Sequence, residues 1–476
     1  MQKTKTRETN TQLIDRSARY AVEMLSGTGG TRVHAWGLTV EGSTVRVSRY
    51  DASGVMQSYP IDFISKFPRF AATIVAISLF DRERWGVQIA VDYPEGAPFI
   101  PRSLSGATVS FSHGSEKHVA TVEESIFFQH KIMFGRCTSI HQARGKTIGD
   151  YALTIKFSQV TASRPWTEKQ ILDIASAAPV PHLPEVYGCS SMPAMSKGVW
   201  GAVYFADAAA VEQGTASADV SSTGAKYDDR AMTVLVTRLY QPLKSLTKVE
   251  EFGKAFIETV HGHHELYEKA NILHGDISHA NLMYWRDDQG VVHGILNDFD
   301  SAIVLNAEKE DERPLELLHT GTLPFMAADL FVDDASGRPK RYRHDLEAFT
   351  YVAIWCGSRY PAQQSGQALR NWELSIETTN AWCTGLFYHM CTEKKHIVWY
   401  MDAGGLFFTP EISALFRSVR MIAGRMCAGQ ANLRKEKYKD EEAEPRFKAH
   451  LPGGFDYDFF CEWYPYKCQC CNVKSP

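Results

Sequence analysis

The chain has no long hydrophobic run. Its longest apolar stretch, Thr73 to Phe80, is far too short to cross a bilayer. The segment Met1 to Arg16 is polar and mixed in charge, without the apolar core of a secretory signal. There is no basic surplus either: 51 Lys and Arg stand against 55 Asp and Glu, a formal net charge of −4. Nucleic acid and anionic lipid therefore meet no attracting field, and neither is an expected partner. The 10 cysteines lack the spacing of a disulfide framework and read as reduced thiols of an intracellular protein, cytoplasmic or nuclear. Cys461, Cys468, Cys470 and Cys471 match no zinc pattern, because adjacent cysteines cannot easily both ligate one tetrahedral ion. No internal repeat is visible. What remains is an ordinary soluble composition over 476 residues, room for two or three domains.

Along the chain, residues 1–25 are polar and are expected to be poorly ordered. Alternating pairs (Leu38 and Val40, Val45 and Val47) separated by turn residues predict a small antiparallel meander. Phe67 to Phe80 reads as a helix, and Thr108 to Val122, broken at His113-Gly114-Ser115, as a hairpin. Strands are predicted around Met133 to Ala143, Tyr151 to Phe157 and Met232 to Leu239, with a helix over Trp166 to Ala177. Residues 208–229 are rich in Ala, Ser, Gly and Thr without an apolar period, a flexible insertion. From Val249 helices dominate, with Phe252 to Ala270 and the nearly all-apolar His344 to Trp355 the clearest.

The most informative stretch is His274-Gly275-Asp276-Ile277-Ser278-His279-Ala280-Asn281, followed by Asn297-Asp298-Phe299-Asp300. Between them two apolar runs flank the turn Asp287-Asp288-Gln289-Gly290, which predicts a hairpin. Protein kinases place H-R-D-x-x-x-x-N before a hairpin and D-F-G after it. Here Gly275 replaces the Arg and Asp300 the Gly. Phosphoryl transfer needs alignment and charge neutralisation more than covalent chemistry. Asp276 is the candidate to orient a hydroxyl and accept its proton, and Asn281 with Asp298 offers the oxygen ligands that Mg²⁺ prefers. His274 is given a structural part beside the metal-binding turn.

Ala152-Leu153-Thr154-Ile155-Lys156 resembles the kinase strand V-A-I-K, whose Lys contacts the α- and β-phosphates; alone it could be an exposed charge ending a strand. Glu168 is its favoured acidic partner, with Asp173 in reserve; a first-turn carboxylate complementing the helix dipole is the plainer reading of Glu168. Phe134-Gly135-Arg136-Cys137-Thr138-Ser139 keeps only Gly135 of a glycine-rich loop, and Cys137 reads as a partly buried inert thiol. Downstream, Thr320-Gly321-Thr322-Leu323-Pro324-Phe325-Met326-Ala327-Ala328-Asp329 stands where kinases have G-T-x-x-[YF]-M-A-P-E; Thr322 would bond Asp276, and Asp329 replaces the Glu. Asp345 either caps its helix or ties the catalytic loop to it. His261, His263 and His264, near a helix end where cations are comfortable, receive no ligand role.

Together these motifs, with His319-Thr320-Gly321-Thr322, His344-Asp345-Leu346-Glu347-Ala348-Phe349 and an N-terminal module over Val33 to Phe63, resemble the fungal-type protein kinase family across about residues 30 to 425. The resemblance implies an α+β, bilobal protein kinase-like fold with an N-terminal β-rich extension. Its expected parts are a disordered 1–25, a β-rich module at 26–125, a small lobe at 126–243, a large lobe at 244–430 and a tail at 431–476. It implies ATP and Mg²⁺ as cofactors and transfer of the γ-phosphoryl group to Ser or Thr of an unknown protein substrate. Asp276, Asn281 and Thr322 would be catalytic, Asn281 and Asp298 would hold the metal, and Gly135, Lys156, Glu168, Leu239 and Met283 would contact the nucleotide. Gly275 removes the Arg that usually pairs with a phosphorylated activation loop, so activity is expected without such phosphorylation. Ser278 replaces the usual γ-phosphate Lys, and Asp300 should restrict the turn at Asp298. Two other readings stand beside this one. Aminoglycoside and choline kinases also carry H-G-D, which suits a small-molecule phosphotransferase, and the depleted glycine loop suits a pseudokinase scaffold.

Overall fold

The computed structural model describes residues 10–128, 135–145, 152–197, 229–305, 321–331, 340–359, 379–383, 387–396, 413–437, 455–464 and 466. The chain divides into two compact units, Met1–Pro165 with Glu185–Leu239, and Trp166–Pro184 with Tyr240–Pro476. Most of the insertion expected at 208–229, and Cys468, Cys470 and Cys471, lie outside the described residues.

In the first unit, helix α1 (Asn10–Ser26) occupies much of the stretch expected to be poorly ordered. The sequence looks polar there, yet Ala18, Ala21, Val22 and Leu25 recur at helical spacing. They pack on Ala35 and Tyr50, and the Tyr50 hydroxyl donates to Ser17 Oγ at 2.6 Å. Ala35 and Tyr50 belong to an antiparallel sheet of β1 (His34–Glu41), β2 (Thr44–Asp51), β3 (Gly54–Gln57) and β4 (Ile61–Asp62), the predicted meander. Leu38 and Val40, however, face outward and are exposed. The predicted helix follows as α2 (Phe67–Ser78).

The rest of this unit is a closed barrel in the order β10-β8-β7-β6-β5-β9, of β5 (Thr108–His113), β6 (Glu116–Phe128), β7 (Ser139–Gly145), β8 (Ala152–Thr161), β9 (Val186–Ser191) and β10 (Arg230–Arg238). Val109, Phe111, Val122, Leu153, Ile155, Phe157, Val234 and Val236 fill its interior. A boundary at 125/126 would cut through β6. The hairpin assigned to the N-terminal module instead pairs with β7 on one side and, at Ser112 with Cys189, with β9 on the other. Such pairing across some 75 residues leaves no local trace in sequence.

In the second unit, α3 (Glu168–Ala177) starts at a capping box: Thr167 Oγ1 accepts from Gln170 N, and the Gln170 side chain reaches back. Ile171, Leu172 and Ala175 form its buried stripe. Helix α4 (Val249–Ala270) ends at Asn271 in the left-handed conformation and leads into β12 (Ile272–Leu273), which pairs with β15 (Ile303–Val304). The predicted hairpin is β13 (Leu282–Arg286) with β14 (Val292–Leu296); β11 (Gln241–Pro242) lies beside β13. Gly294 lets β14 sit directly on α4, for a Cβ there would fall 2.0 Å from the Ala255 carbonyl oxygen. Its N–H donates to the buried Glu258 at 2.7 Å.

Helix α5 (Tyr342–Ser358) is buried along almost its whole length, as its apolar sequence predicts. Helices α6 (Phe387–Lys395), α7 (Ser413–Lys437) and α8 (Tyr457–Trp463) follow. The tail segment α8 is part of the core. Phe460 and Tyr464 are fully buried against Phe256 of α4, ring centroids 6.3 and 5.3 Å away. Tyr457 stacks on His264 at 3.8 Å and shares a 2.8 Å hydrogen bond with His261 Nδ1. The three histidines are therefore not exposed cations at a helix end. Burial lowers the pKa of His261 and His264, and His263 is wholly enclosed.

Candidate active site

Three of the residues singled out in sequence, Asp276, Asn281 and Thr322, are joined by hydrogen bonds. Asp276 Oδ1 accepts from both the backbone N–H and the hydroxyl of Thr322, each at 2.8 Å. Asn281 Nδ2 donates to the Asp276 carbonyl at 2.7 Å, which leaves its Oδ1 as the atom available to a cation. Asp276 Oδ2 takes no protein hydrogen bond among the described residues, and the side chain is half-buried.

The backbone of this turn is held from beneath. Asp345, on the first turns of α5, accepts from Gly275 N–H at 3.1 Å and from His263 Nε2 at 2.9 Å, so it ties the loop to the helix and is no N-cap. Burial alone would raise the Asp345 pKa; the His263 bond and the neighbouring histidines outweigh it and hold the carboxyl below its ordinary value. His274 is fully buried, and that burial keeps its pKa low. It pairs through Nε2 with the Asn297 carbonyl at 3.0 Å, accepts from Asp276 N–H through Nδ1 at 3.3 Å and meets the Phe299 ring edge-on at 4.9 Å. The structural part expected of it is what these bonds provide.

Asp298 follows β14, and Asn281 precedes its partner β13; Asn297 N–H donates to the Asn281 carbonyl at 2.9 Å, so the hairpin brings the two together. Asp298 sits at φ 65°, ψ 79°, a left-handed conformation that costs a non-glycine residue and recurs at functional sites. Position 300, where kinases have glycine, needs no positive φ here. Phe299–Ser301 tightens into a 3₁₀ turn that seats Asp300 inward and buries it.

Carboxylate oxygens of Glu168, Asp298 and Asp300 lie within 4.8 Å of one another. Glu168 Oε1 also accepts from Phe299 N–H at 2.9 Å. An all-oxygen set of this kind suits a hard divalent cation such as Mg²⁺, so the residues present fit the expected metal. Asp300 is the member that sequence reasoning missed, since it was weighed only as a lost glycine. Asp173, the reserve partner for Lys156, is excluded from the cluster: it is exposed and paired with Lys169 at 2.6 Å.

Lys156, Gly135 and Leu239 belong to the first unit. Lys156 lies between the core residues Ile155 and Phe157 on β8, so it points to the other face, and it is only 8 % exposed rather than a solvated strand end. Gly135 has φ 130°, and Cys137 sits at φ 45° with burial pushing its thiol up to about 11, an inert group. Leu239 N–H bonds the Ala152 carbonyl at 3.0 Å. Met283 is half-buried in β13, and Ser278, in place of the γ-phosphate lysine, is buried.

Beyond Thr322 the chain turns at Leu323–Phe325 and Ala328–Phe331. Residues 306–320, with His319 and Thr320 of the motif, lie outside the described residues. Asp329 stands in sequence where kinases have the Glu of A-P-E. The anchors seen are Glu347, which accepts from Ala328 N–H at 2.6 Å, and the wholly buried Lys394, which donates to the Met326 carbonyl at 2.5 Å and the Leu323 carbonyl at 3.2 Å. Glu347 stood in the sequence as a second acid, two residues after Asp345, in a mostly apolar helix, a signal that could have found it.

A positioned carboxylate, an amide beside it and a cluster of metal-type acids are the parts of an ATP-dependent phosphotransferase. The chain belongs to the fungal protein kinase family, whose model, described as fungal protein kinase, matches residues 1–357. That span starts earlier than the expected 30 and includes α1; it ends at the penultimate residue of α5 rather than near 425. None of the curated proteins matches the chain. Membership implies ATP as phosphoryl donor with a divalent metal, and a protein as acceptor. No helix among the described residues is long and apolar enough to cross a membrane.

Proposed function

We propose that the protein is an ATP- and Mg²⁺-dependent kinase that transfers the γ-phosphoryl group to Ser or Thr hydroxyls of a protein substrate. The observation that supports this best is the asymmetry of Asp276. One carboxylate oxygen is fixed twice by Thr322, and the other is left to meet a hydroxyl. As the substrate oxygen bonds to the γ-phosphorus, the bond to the ADP oxygen breaks and the hydroxyl proton passes to Asp276 Oδ2. Thr322 keeps that carboxylate in one rotamer, and Asn281 braces the loop through Nδ2, which leaves its Oδ1 as the atom that would serve as a metal ligand. Asp298, with Asn281, would hold Mg²⁺, which when bound neutralises phosphate charge and aligns the leaving group. For Gly135, Lys156, Leu239 and Met283 the nucleotide-binding role rests on the sequence pattern, as does the expected pairing of Lys156 with Glu168.

The test is transfer of label from ATP with Mg²⁺ to mixed protein substrates, run beside Asp276→Asn and Asp298→Ala. Both variants should lose transfer while Asp276→Asn still gains melting temperature with nucleotide. Transfer that survives either change would defeat the assigned roles. Nucleotide binding without any transfer by the unaltered chain would favour a pseudokinase scaffold.

A further inference from the structure

We propose that Lys340 is a positioning residue that holds the catalytic turn in place of the arginine missing at position 275. The proposal rests on the role given to Asp276 above and concerns how that residue is aimed.

Gly275 has φ 76°, and a Cβ added to it would stand 2.6 Å from the Ser301 carbonyl oxygen, a backbone atom that cannot yield. The D-F-D-S turn thus closes against position 275, and an arginine has no way to leave the backbone there. A cation nevertheless lies beside it. Lys340 is 4 % exposed, its Nζ donates to the Gly275 carbonyl, and it would stand 3.6 Å from that same added Cβ. An ammonium buried to this degree is costly unless acceptors hold it, so packing alone would favour methionine.

Lys340 lies just ahead of α5, and α5 also carries Asp345. The two residues hold opposite poles of neighbouring peptides: Asp345 takes the Gly275 N–H, and Lys340 takes the Gly275 carbonyl. With both peptides fixed, the left-handed φ of Gly275 is set, and so is the direction in which Asp276 leaves the chain. The same carbonyl is 3.6 Å from the place a Cβ of Gly321 would occupy, so the backbone at Gly321, next to Thr322, passes close to this anchored group. Lys340 therefore supports both partners of the Asp276–Thr322 bond without touching the reacting atoms.

The experiment compares the full chain with Lys340→Met and Lys340→Arg by amide hydrogen exchange and by steady-state kinetics. In Lys340→Met, exchange over residues 275–277 and 321–323 should quicken by about tenfold or more while α4 is unaffected. kcat should fall by about 10²-fold with KM for ATP within about twofold, because misaimed groups cost rate rather than binding. Lys340→Arg should recover part of both. Unchanged exchange at those residues, an unchanged kcat, or a loss of protection spread over the whole second unit without recovery in Lys340→Arg would each overturn the proposal. If the unaltered chain transfers no phosphoryl group, the functional reading fails, and the exchange comparison still decides what Lys340 does.

Discussion

Truncating Phe460 to Ala tests whether the segment beyond the family match is structural. Phe460 is fully buried on α8, stacked with Phe256 of α4 and with Tyr464 at 5.9 Å, so its removal opens a void walled by rings that are themselves pinned. Large-to-small changes at closed aromatic sites cost about 3–5 kcal/mol. A domain of ordinary stability holds about 5–15 kcal/mol in all, so the second unit should lose roughly a fifth or more of its margin. For a unit of this size that is a fall in melting temperature of roughly 6–20 °C. Calorimetry follows the change, and Tyr457→Phe is the companion variant. It keeps the stack on His264 and removes only the hydroxyl bond to His261, so it should cost about 1 kcal/mol. A Phe460→Ala protein that melts within about 2 °C of the original would refute the packing argument.

Thr322→Val keeps the backbone bond to Asp276 and deletes the hydroxyl bond, worth about 1.5–3 kcal/mol to a charged acceptor. kcat should fall about tenfold or more, Thr322→Ser should stay near the original, and equal rates in Val and Ser would reject the bond's role. His34 in the first unit bonds the Arg84 carbonyl through Nε2, and burial first, then the Arg49 charge, lowers its pKa from 6.5 to about 3. The folded chain thus binds fewer protons than the unfolded one between these values. Its stability is whole above pH 6.5 and is lost as pH falls, by roughly 1 kcal/mol per pH unit. His34→Gln should flatten the pH 4–7 dependence of the first unit's melting, and parallel curves would count against the assignment. Phosphatase treatment should leave kcat within about twofold, since Gly275 offers no arginine to a phosphorylated segment, and abolished turnover would contradict that.

The short-range features were legible because each has a local cause. The hairpin between Asn281 and Asn297, the capping box at Thr167 and the buried α5 follow from turn chemistry, a hydroxyl three residues before Gln170 and a nearly all-apolar run. The bond from Thr322 to Asp276 was legible for a different reason: two motifs with a known mutual geometry stood at the right separation. What escaped were features decided by neighbours distant in sequence. Nothing in Thr108 to Val122 says that it closes a barrel with Cys189, or in Lys340 that it faces a carbonyl 65 residues earlier. Helix α1 was hidden by polar residues on its outer side, since its small apolar stripe registers only once Tyr50 is in place.

The closed barrel bears on how the protein can be shortened. A version beginning at residue 126, where an ordinary kinase boundary would be drawn, removes β5 and nearly all of β6 at once. Strands β7 and β9 would then each present a row of unsatisfied amides and carbonyls to solvent, and Val234, Val236 and Ile155 would lose the wall that covers them. Such a fragment would self-associate through its raw edges. Strands β5 and β6 are staves of the barrel to which the Lys156 strand belongs, so workable truncations must begin ahead of Thr108.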